Sequence, residues 1–260
     1  YETQWGDDFS KFAELAQQVV AQGYTAVKVL ITPPTETLNS IAGYRYTDGA
    51  MRALREAVGE KIDIMIDCHG RHALANAVEF CRVLAPYRPY FVEEPVPPEN
   101  VDVMAEVRKA SPVPIATGER LITRYQFREL FEKQACNIIQ PDLCHCGGLW
   151  EAKKIAAMAE TYYMGVAPHN QLGPVANAAA LHFAFSTPNF LIQEDMLTDV
   201  PWRWEVVQHS LKTENGYWLP TNAPGLGIEV NEAAAAKHPF QQEVIHALHI
   251  RAHDNAILDW

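Results

Sequence analysis

The 260-residue sequence predicts an α/β protein folded as a parallel (β/α) barrel of the TIM type. Short apolar runs alternate with amphipathic stretches along most of the chain. Asp67, Glu93 and Glu119 follow such runs at equal intervals of 26 residues, about one βα unit. A doubly wound open sheet is the alternative, but no G-x-G-x-x-G turn follows the first strand.

Tyr1–Thr3 supplies the first strand. A helix is expected from Asp8 to Gln22, where Phe9, Phe12, Leu15, Ala16, Val19 and Val20 form one stripe. Ala26–Ile31 is a buried strand, and Thr32–Thr47 a long loop rich in Pro and Thr. Asp48 caps a helix that runs to Val58, ahead of Gly59. The alternation continues with strands at Ile62–Ile66, Tyr90–Val92, Pro114–Ala116, Asn137–Gln140, Met164–Ala167 and Phe190–Ile192. Helices between them cover Ala73–Leu84, Asn100–Lys109, Tyr125–Lys133, Leu149–Tyr162 and Pro174–Phe185. The barrel thus occupies residues 1–195. Residues 196–260 break the alternation and read as an irregular extension, with Trp202, Trp204, Tyr217 and Trp218, packed on the barrel or on a capping domain.

Composition narrows the function. Hydrophobic residues make up 48% and charged residues 20%, as in an ordinary soluble globular protein. No apolar run approaches the roughly 18 residues of a membrane span, and no signal-peptide pattern opens the chain. A net charge of -11 argues against nucleic-acid or anionic-membrane partners. The five cysteines, Cys68, Cys81, Cys136, Cys144 and Cys146, form no C-x-x-C, so a disulfide framework or zinc site is not expected. They read as core or near-core thiols in a reducing cytoplasm.

Polar residues gather where the strands end. In a parallel barrel those C-terminal ends share one mouth. Asp67, Glu93 and Glu119 would repel one another there without a cation, and all-oxygen donors favour Mg2+, with Mn2+ second. Glu94 competes with Glu93, but the equal spacing favours Glu93. His69, Asp142, His169 and Glu194 end neighbouring strands. Asp142 and His169 lie on adjacent strands, so the carboxylate can fix the imidazole tautomer and raise its basicity. Other histidines, such as His145, His182 and His209, read as structural or solvated.

These residues sit in recognisable runs: Asp67-Cys68-His69-Gly70-Arg71, Phe91-Val92-Glu93-Glu94-Pro95-Val96, Gly118-Glu119-Arg120, Gln140-Pro141-Asp142-Leu143, Ala167-Pro168-His169 and Ile192-Gln193-Glu194. The set resembles the enolase superfamily, mandelate racemase-like branch, and within it the galactonate dehydratases and related acid-sugar dehydratases. The likeness covers nearly the whole chain, including Pro224-Gly225-Leu226-Gly227 and Asp254-Asn255 to Trp260. It implies a modified TIM-like barrel with Mg2+ held by Asp67, Glu93 and Glu119, the family's N-terminal α+β capping domain being largely absent from this chain. It further implies a hydro-lyase acting on a sugar acid. His169, oriented by Asp142, would remove the C2 proton, and His69 would protonate the departing C3 hydroxyl. Glu194, protonated or sharing a proton with a substrate oxygen, would hydrogen-bond the enediolate. Arg71 and Arg120 would contact substrate or neighbouring carboxylates. The product would be a 2-keto-3-deoxy acid, and the chain would form a homo-oligomer.

One departure separates this chain from racemase-type relatives. Those often carry K-x-K at the end of the second strand, whereas Lys28-Val29-Leu30 lacks the second Lys. That favours the His-based dehydratase over a racemase or epimerase on the same scaffold. A non-catalytic sugar-acid binder is the remaining alternative, and it would have no need of the Asp142–His169 pair.

Overall fold

The computed structural model describes residues 8–32, 38–196 and 200–242. Tyr1–Thr3, part of the Thr32–Thr47 stretch, and the end of the chain from residue 243 lie outside the described residues. The chain divides into two compact units. Of the described residues, the first comprises those up to Thr117 together with Glu132–Asn137, and the second comprises Gly118–Phe131 and those from Ile138 to 242.

The first unit is built on strands β1 (Ala26–Val29), β2 (Asp63–Asp67), β3 (Phe91–Glu93) and β4 (Ile115–Thr117), parallel and adjacent in chain order. Helices α1 (Ser10–Ala21), α2 (Ile41–Val58), α3 (Leu74–Leu84) and α4 (Val101–Ala110) connect and cover them. Ile64, Ile66, Val92 and Ile115 are fully buried, as expected for parallel strands covered on both faces. They share the interior with Met51, Leu54, Phe80, Leu84 and Val107 from the helices. Asn100 caps α4, its side-chain oxygen accepting from the Val103 N–H at 3.2 Å.

Helix α2 starts at Ile41, not at Asp48 as the sequence predicts. Its buried stripe is Gly43, Thr47, Ala50, Met51 and Leu54, a helical spacing. Gly43 and Thr47 carry the stripe backward without large apolar side chains, so hydrophobic periodicity does not register them. Thr47 also returns its hydroxyl to the Gly43 carbonyl at 3.2 Å.

The second unit holds α5 (Thr123–Glu132, all but its last residue), parallel strands β5 (Ile138–Ile139) and β6 (Gly165–Val166), and helices α6 (Gly148–Thr161) and α7 (Pro174–Phe185). The strand expected at Phe190–Ile192 is reduced to a single parallel bridge between Val166 and Phe190, with Leu191 N–H on the Val166 carbonyl at 2.8 Å. Phe127, Phe131, Ile139, Ile155, Val166 and Phe183 form its interior.

The C-terminal segment is more regular than the sequence predicts. Strands β7 (Val207–His209) and β10 (Ile228–Val230) pair antiparallel, as do β8 (Lys212–Glu214) and β9 (Tyr217–Leu219), followed by the short helix α8 (Glu232–Ala235). Asn215-Gly216 joins β8 to β9 with φ of +50° and +78°, the two-residue turn that matches strand twist. Helix α7 is apolar nearly all round and needs cover on its outer side too. Trp204, Trp218, Leu226 and Ile228 pack against Ala178, Leu181 and Leu211 there.

Candidate metal and acid–base site

In the first unit, the register of β2 against β3 sets Asp67 opposite Glu93. Their carboxylates approach within 4.8 Å, so of the two neighbouring acids Glu93 is the one that meets Asp67. Glu93 is fully buried. Lys28, on β1, places its ammonium 2.8 Å from Glu93 Oε2. Glu94 follows at φ +37°, also fully buried, and leaves the strand.

His69 is drawn onto Asp67. Its backbone N–H donates to Asp67 Oδ1 at 3.0 Å, and its ring Nε2 lies 2.9 Å from Oδ2. A left-handed backbone at His69, φ +50°, folds the ring back over the strand end. Burial pushes the Asp67 carboxyl up, but the His69 hydrogen bond and the nearby Lys28 charge outweigh it and hold Asp67 below its usual range.

In the second unit, His169 Nδ1 meets Asp142 Oδ2 at 2.7 Å. The other oxygen, Oδ1, accepts the Cys144 N–H at 2.7 Å. Burial again opposes ionisation of Asp142, but the His169 hydrogen bond and the Cys144 N–H keep it below the usual carboxylate range. The outward nitrogen of the same imidazole, Nε2, stands 3.6 Å from Glu119 Oε2. That oxygen is buried and has no hydrogen-bond partner among the described residues. Gly118 sets Glu119 in place. At φ +138°, a Cβ there would meet Phe127 Cε1 at 3.0 Å and the Gln140 N at 3.1 Å. Arg120 lies 3.7 Å from Glu119 Oε1.

Glu119, Asp142 and His169 open on a cavity of about 330 Å³, with Arg120, Cys144, His145 and Leu172. Cys144 is exposed there, whereas the other four thiols are buried, so the expectation of core or near-core thiols holds for those four. Glu194 is engaged from the loop after β6, its Oε2 accepting the Asn170 N–H at 2.7 Å.

The predicted residues thus fall into two groups, Asp67, Glu93 and His69 in one unit and Glu119, Asp142, His169 and Glu194 in the other. Sequence reasoning passed over Lys28 as a partner of Glu93. Its position on β1 beside β2 was the available signal, since Lys28 pairs in register with Met65. Asn170 was also missed, though it adjoins His169 in sequence.

The donor set suits a hard divalent cation. Asp67 and Glu93 in the first unit and Glu119 in the second offer only carboxylate oxygens, and one Glu119 oxygen is buried without a hydrogen-bond partner among the described residues. No helix among the described residues is long and apolar enough to cross a membrane.

The family model described as Enolase C-terminal domain-like matches residues 11–234. D-galactonate dehydratase from Cronobacter sakazakii is 39% identical over 206 residues, 76% of this chain and 54% of that protein. A mandelate racemase/muconate lactonizing enzyme-like protein from Roseovarius sp. TM1035 superposes with a TM-score of 0.86 at 41% identity, covering 91% of this chain and 60% of that one. One from Rubrobacter xylanophilus gives a TM-score of 0.87 at 34% identity, covering 93% and 65%. The chain therefore spans about half the length of the curated relative it matches.

Proposed function

The chain belongs to the enolase C-terminal domain-like family, whose fold is an α/β barrel of the TIM type, and on that premise we propose that it is the barrel part of a Mg2+-dependent acid-sugar dehydratase. Its substrate would be an aldonate of the galactonate kind, in line with the name of the Cronobacter sakazakii relative. Asp67, Glu93 and Glu119 would hold the cation. A divalent ion there would stabilise negative charge on the substrate carboxylate as the neighbouring C–H is deprotonated.

The observation that carries the reading is the His169–Asp142 pair at 2.7 Å. With Nδ1–H donating to Asp142, the lone pair sits on Nε2, which faces the cavity-lining Glu119. Nε2 takes the proton from C2 of the substrate. His69, from the other group, gives a proton to the C3 hydroxyl, which leaves as water. The C2–C3 double bond then carries a C2 hydroxyl, and this enol tautomerises to a 2-keto-3-deoxy acid. Glu194 would hydrogen-bond a substrate oxygen through the carboxylate that Asn170 steadies.

A racemase needs a second base to reprotonate C2 from the opposite face. Lys28 is bound to Glu93, and the position two residues on is Leu30, so β1 offers no further lysine for that task. An odd number of cysteines with no C-x-x-C fits a reducing compartment, and the cytoplasm is our proposed location.

The test is a panel of aldonates incubated with the full-length protein and Mg2+, with 2-keto acid read as its semicarbazone. The expected result is product from one or a few aldonates. Turnover of none of them, with Mg2+ bound, would leave a binder in place of an enzyme.

A further inference from the structure

We propose that Asn170 and Asn177 are positioning residues for Glu194, and that the C-terminal segment holds them in place through Asp195 and Trp218. The proposal rests on the reading of Glu194 as a group that meets substrate.

Both amides are almost completely buried, Asn170 at 3% and Asn177 at 5% exposure. Asn170 grips Glu194 twice. Its backbone N–H donates to the carboxylate Oε2 at 2.7 Å, and its side-chain Nδ2 donates to the Glu194 backbone carbonyl at 3.1 Å. The same Nδ2 also donates to Asn177 Oδ1. Asn177, on α7, uses its other end to donate from Nδ2 to Asp195 Oδ1 at 2.8 Å. The second oxygen of Asp195 accepts the Trp218 indole N–H at 3.2 Å. Arg203, itself 2% exposed, adds a second strut by donating to the Leu172 carbonyl in the loop that carries Asn170.

The direction of this chain is fixed. An amide has one acceptor and one donor end, so flipping Asn177 would set its NH2 against the Asn170 NH2 and its oxygen against the Asp195 carboxylate. Negative charge on Asp195 polarises Asn177 and makes its oxygen a better acceptor for Asn170. The indole can only donate, so it can occupy only the Asp195 end. The Asn170 backbone N–H thus holds one carboxylate oxygen of Glu194 while its side chain holds the Glu194 backbone carbonyl, tying both ends of the residue to Asn170. Buried polar groups that are all paired in this way specify geometry, because any rearrangement strands a donor or an acceptor.

Two substitutions in the full-length protein test the relay. Asn177→Leu removes the central amide at similar volume, and Trp218→Phe removes only the indole N–H while keeping an aromatic ring. The direct readout is the backbone amide proton of Asn170 in a heteronuclear NMR spectrum, where a short bond to a carboxylate gives a downfield resonance. Both variants are expected to move it upfield, Asn177→Leu further. Dehydration kcat should fall about ten- to a hundredfold in Asn177→Leu, with KM changing far less, because supporting hydrogen bonds around a site typically carry that factor. Trp218→Phe should lose about threefold, as for one modest hydrogen bond. An unmoved Asn170 resonance in both variants overturns the proposal. Should Asn177→Leu fail to fold, Trp218→Phe decides it by the same resonance. If the resonance moves but the wild-type protein dehydrates no aldonate, the relay stands and the functional reading of Glu194 falls.

Discussion

His169 and Asp142 face each other across 2.7 Å, Nδ1 to Oδ2, from the ends of β6 and β5. The register of these two strands, Ile139 opposite Val166, brings the following residues side by side. The second Asp142 oxygen is occupied by the Cys144 N–H, so the carboxylate cannot swing away without stranding a donor. The imidazole is consequently oriented, with Nε2 directed at Glu119.

That arrangement predicts the behaviour of the base. His169→Asn should abolish exchange of the substrate C2 proton with solvent deuterium, measured by NMR of recovered substrate. Asp142→Asn, which keeps the shape but loses the charge that orients the ring, should slow exchange about a hundredfold or more. Mg2+ affinity should change little in Asp142→Asn. Exchange at the wild-type rate in His169→Asn would remove it as the base.

His69 is predicted to act at the other end of the elimination. His69→Asn should spare C2 exchange while stopping water loss, since the proton for the leaving hydroxyl is gone. Deuterium incorporation without 2-keto acid is the expected pattern. Dehydration near the wild-type rate would contradict it.

Lys28 already neutralises part of the acidic pair, its ammonium 2.8 Å from the fully buried Glu93. Removing one member of a buried ion pair leaves the other uncompensated, at a cost of about 3 kcal/mol. Lys28→Met should therefore lower the unfolding temperature sharply in chelator and much less in saturating Mg2+, where the ion supplies the missing charge. Equal losses in both conditions would show that Lys28 does not share its role with a cation.

Much of this was legible in the chain itself. The 26-residue spacing puts Asp67 and Glu93 in register at the ends of β2 and β3, as a strand–helix repeat of constant length should, whereas Glu119 comes two residues after β4 ends and Ala116 is the register partner of Glu93. Helix α7 was bounded correctly by Pro174 at its first turn. The start of α2 was hidden because Gly43 and Thr47 fill the buried stripe without hydrophobic bulk. The β8–β9 hairpin was overlooked although Asn215-Gly216 is the strongest short-range signal for one. Pairings such as Lys28 with Glu93, 65 residues apart, depend on strand register and leave no local trace.

His72 gives the fold an acid-sensitive point. It is 1% exposed, packs against the Phe80 ring at 4.6 Å, and neither ring nitrogen has a hydrogen-bond partner among the described residues. Burial, with the Arg71 charge, pushes its imidazole down from 6.5 to about 3. Above pH 6.5 both states leave it neutral and the stability it permits is complete. As pH falls towards 3, the unfolded chain takes up a proton that the folded chain refuses, so stability is progressively lost. At pH 4.5 the loss from this group is about 2 to 3 kcal/mol. Denaturant unfolding at pH 7 and pH 4.5 should show His72→Met losing less than wild type by about that amount. Identical losses in the two proteins would remove His72 from the acid response.

The central claim is that Asp67, Glu93 and Glu119 together hold one divalent cation. Titration calorimetry with Mg2+ on the full-length protein and its Glu119→Ala variant tests it without any need for substrate. The expected result is one ion per wild-type chain and an affinity at least about tenfold weaker in the variant. An affinity left unchanged by the loss of Glu119 would contradict the claim.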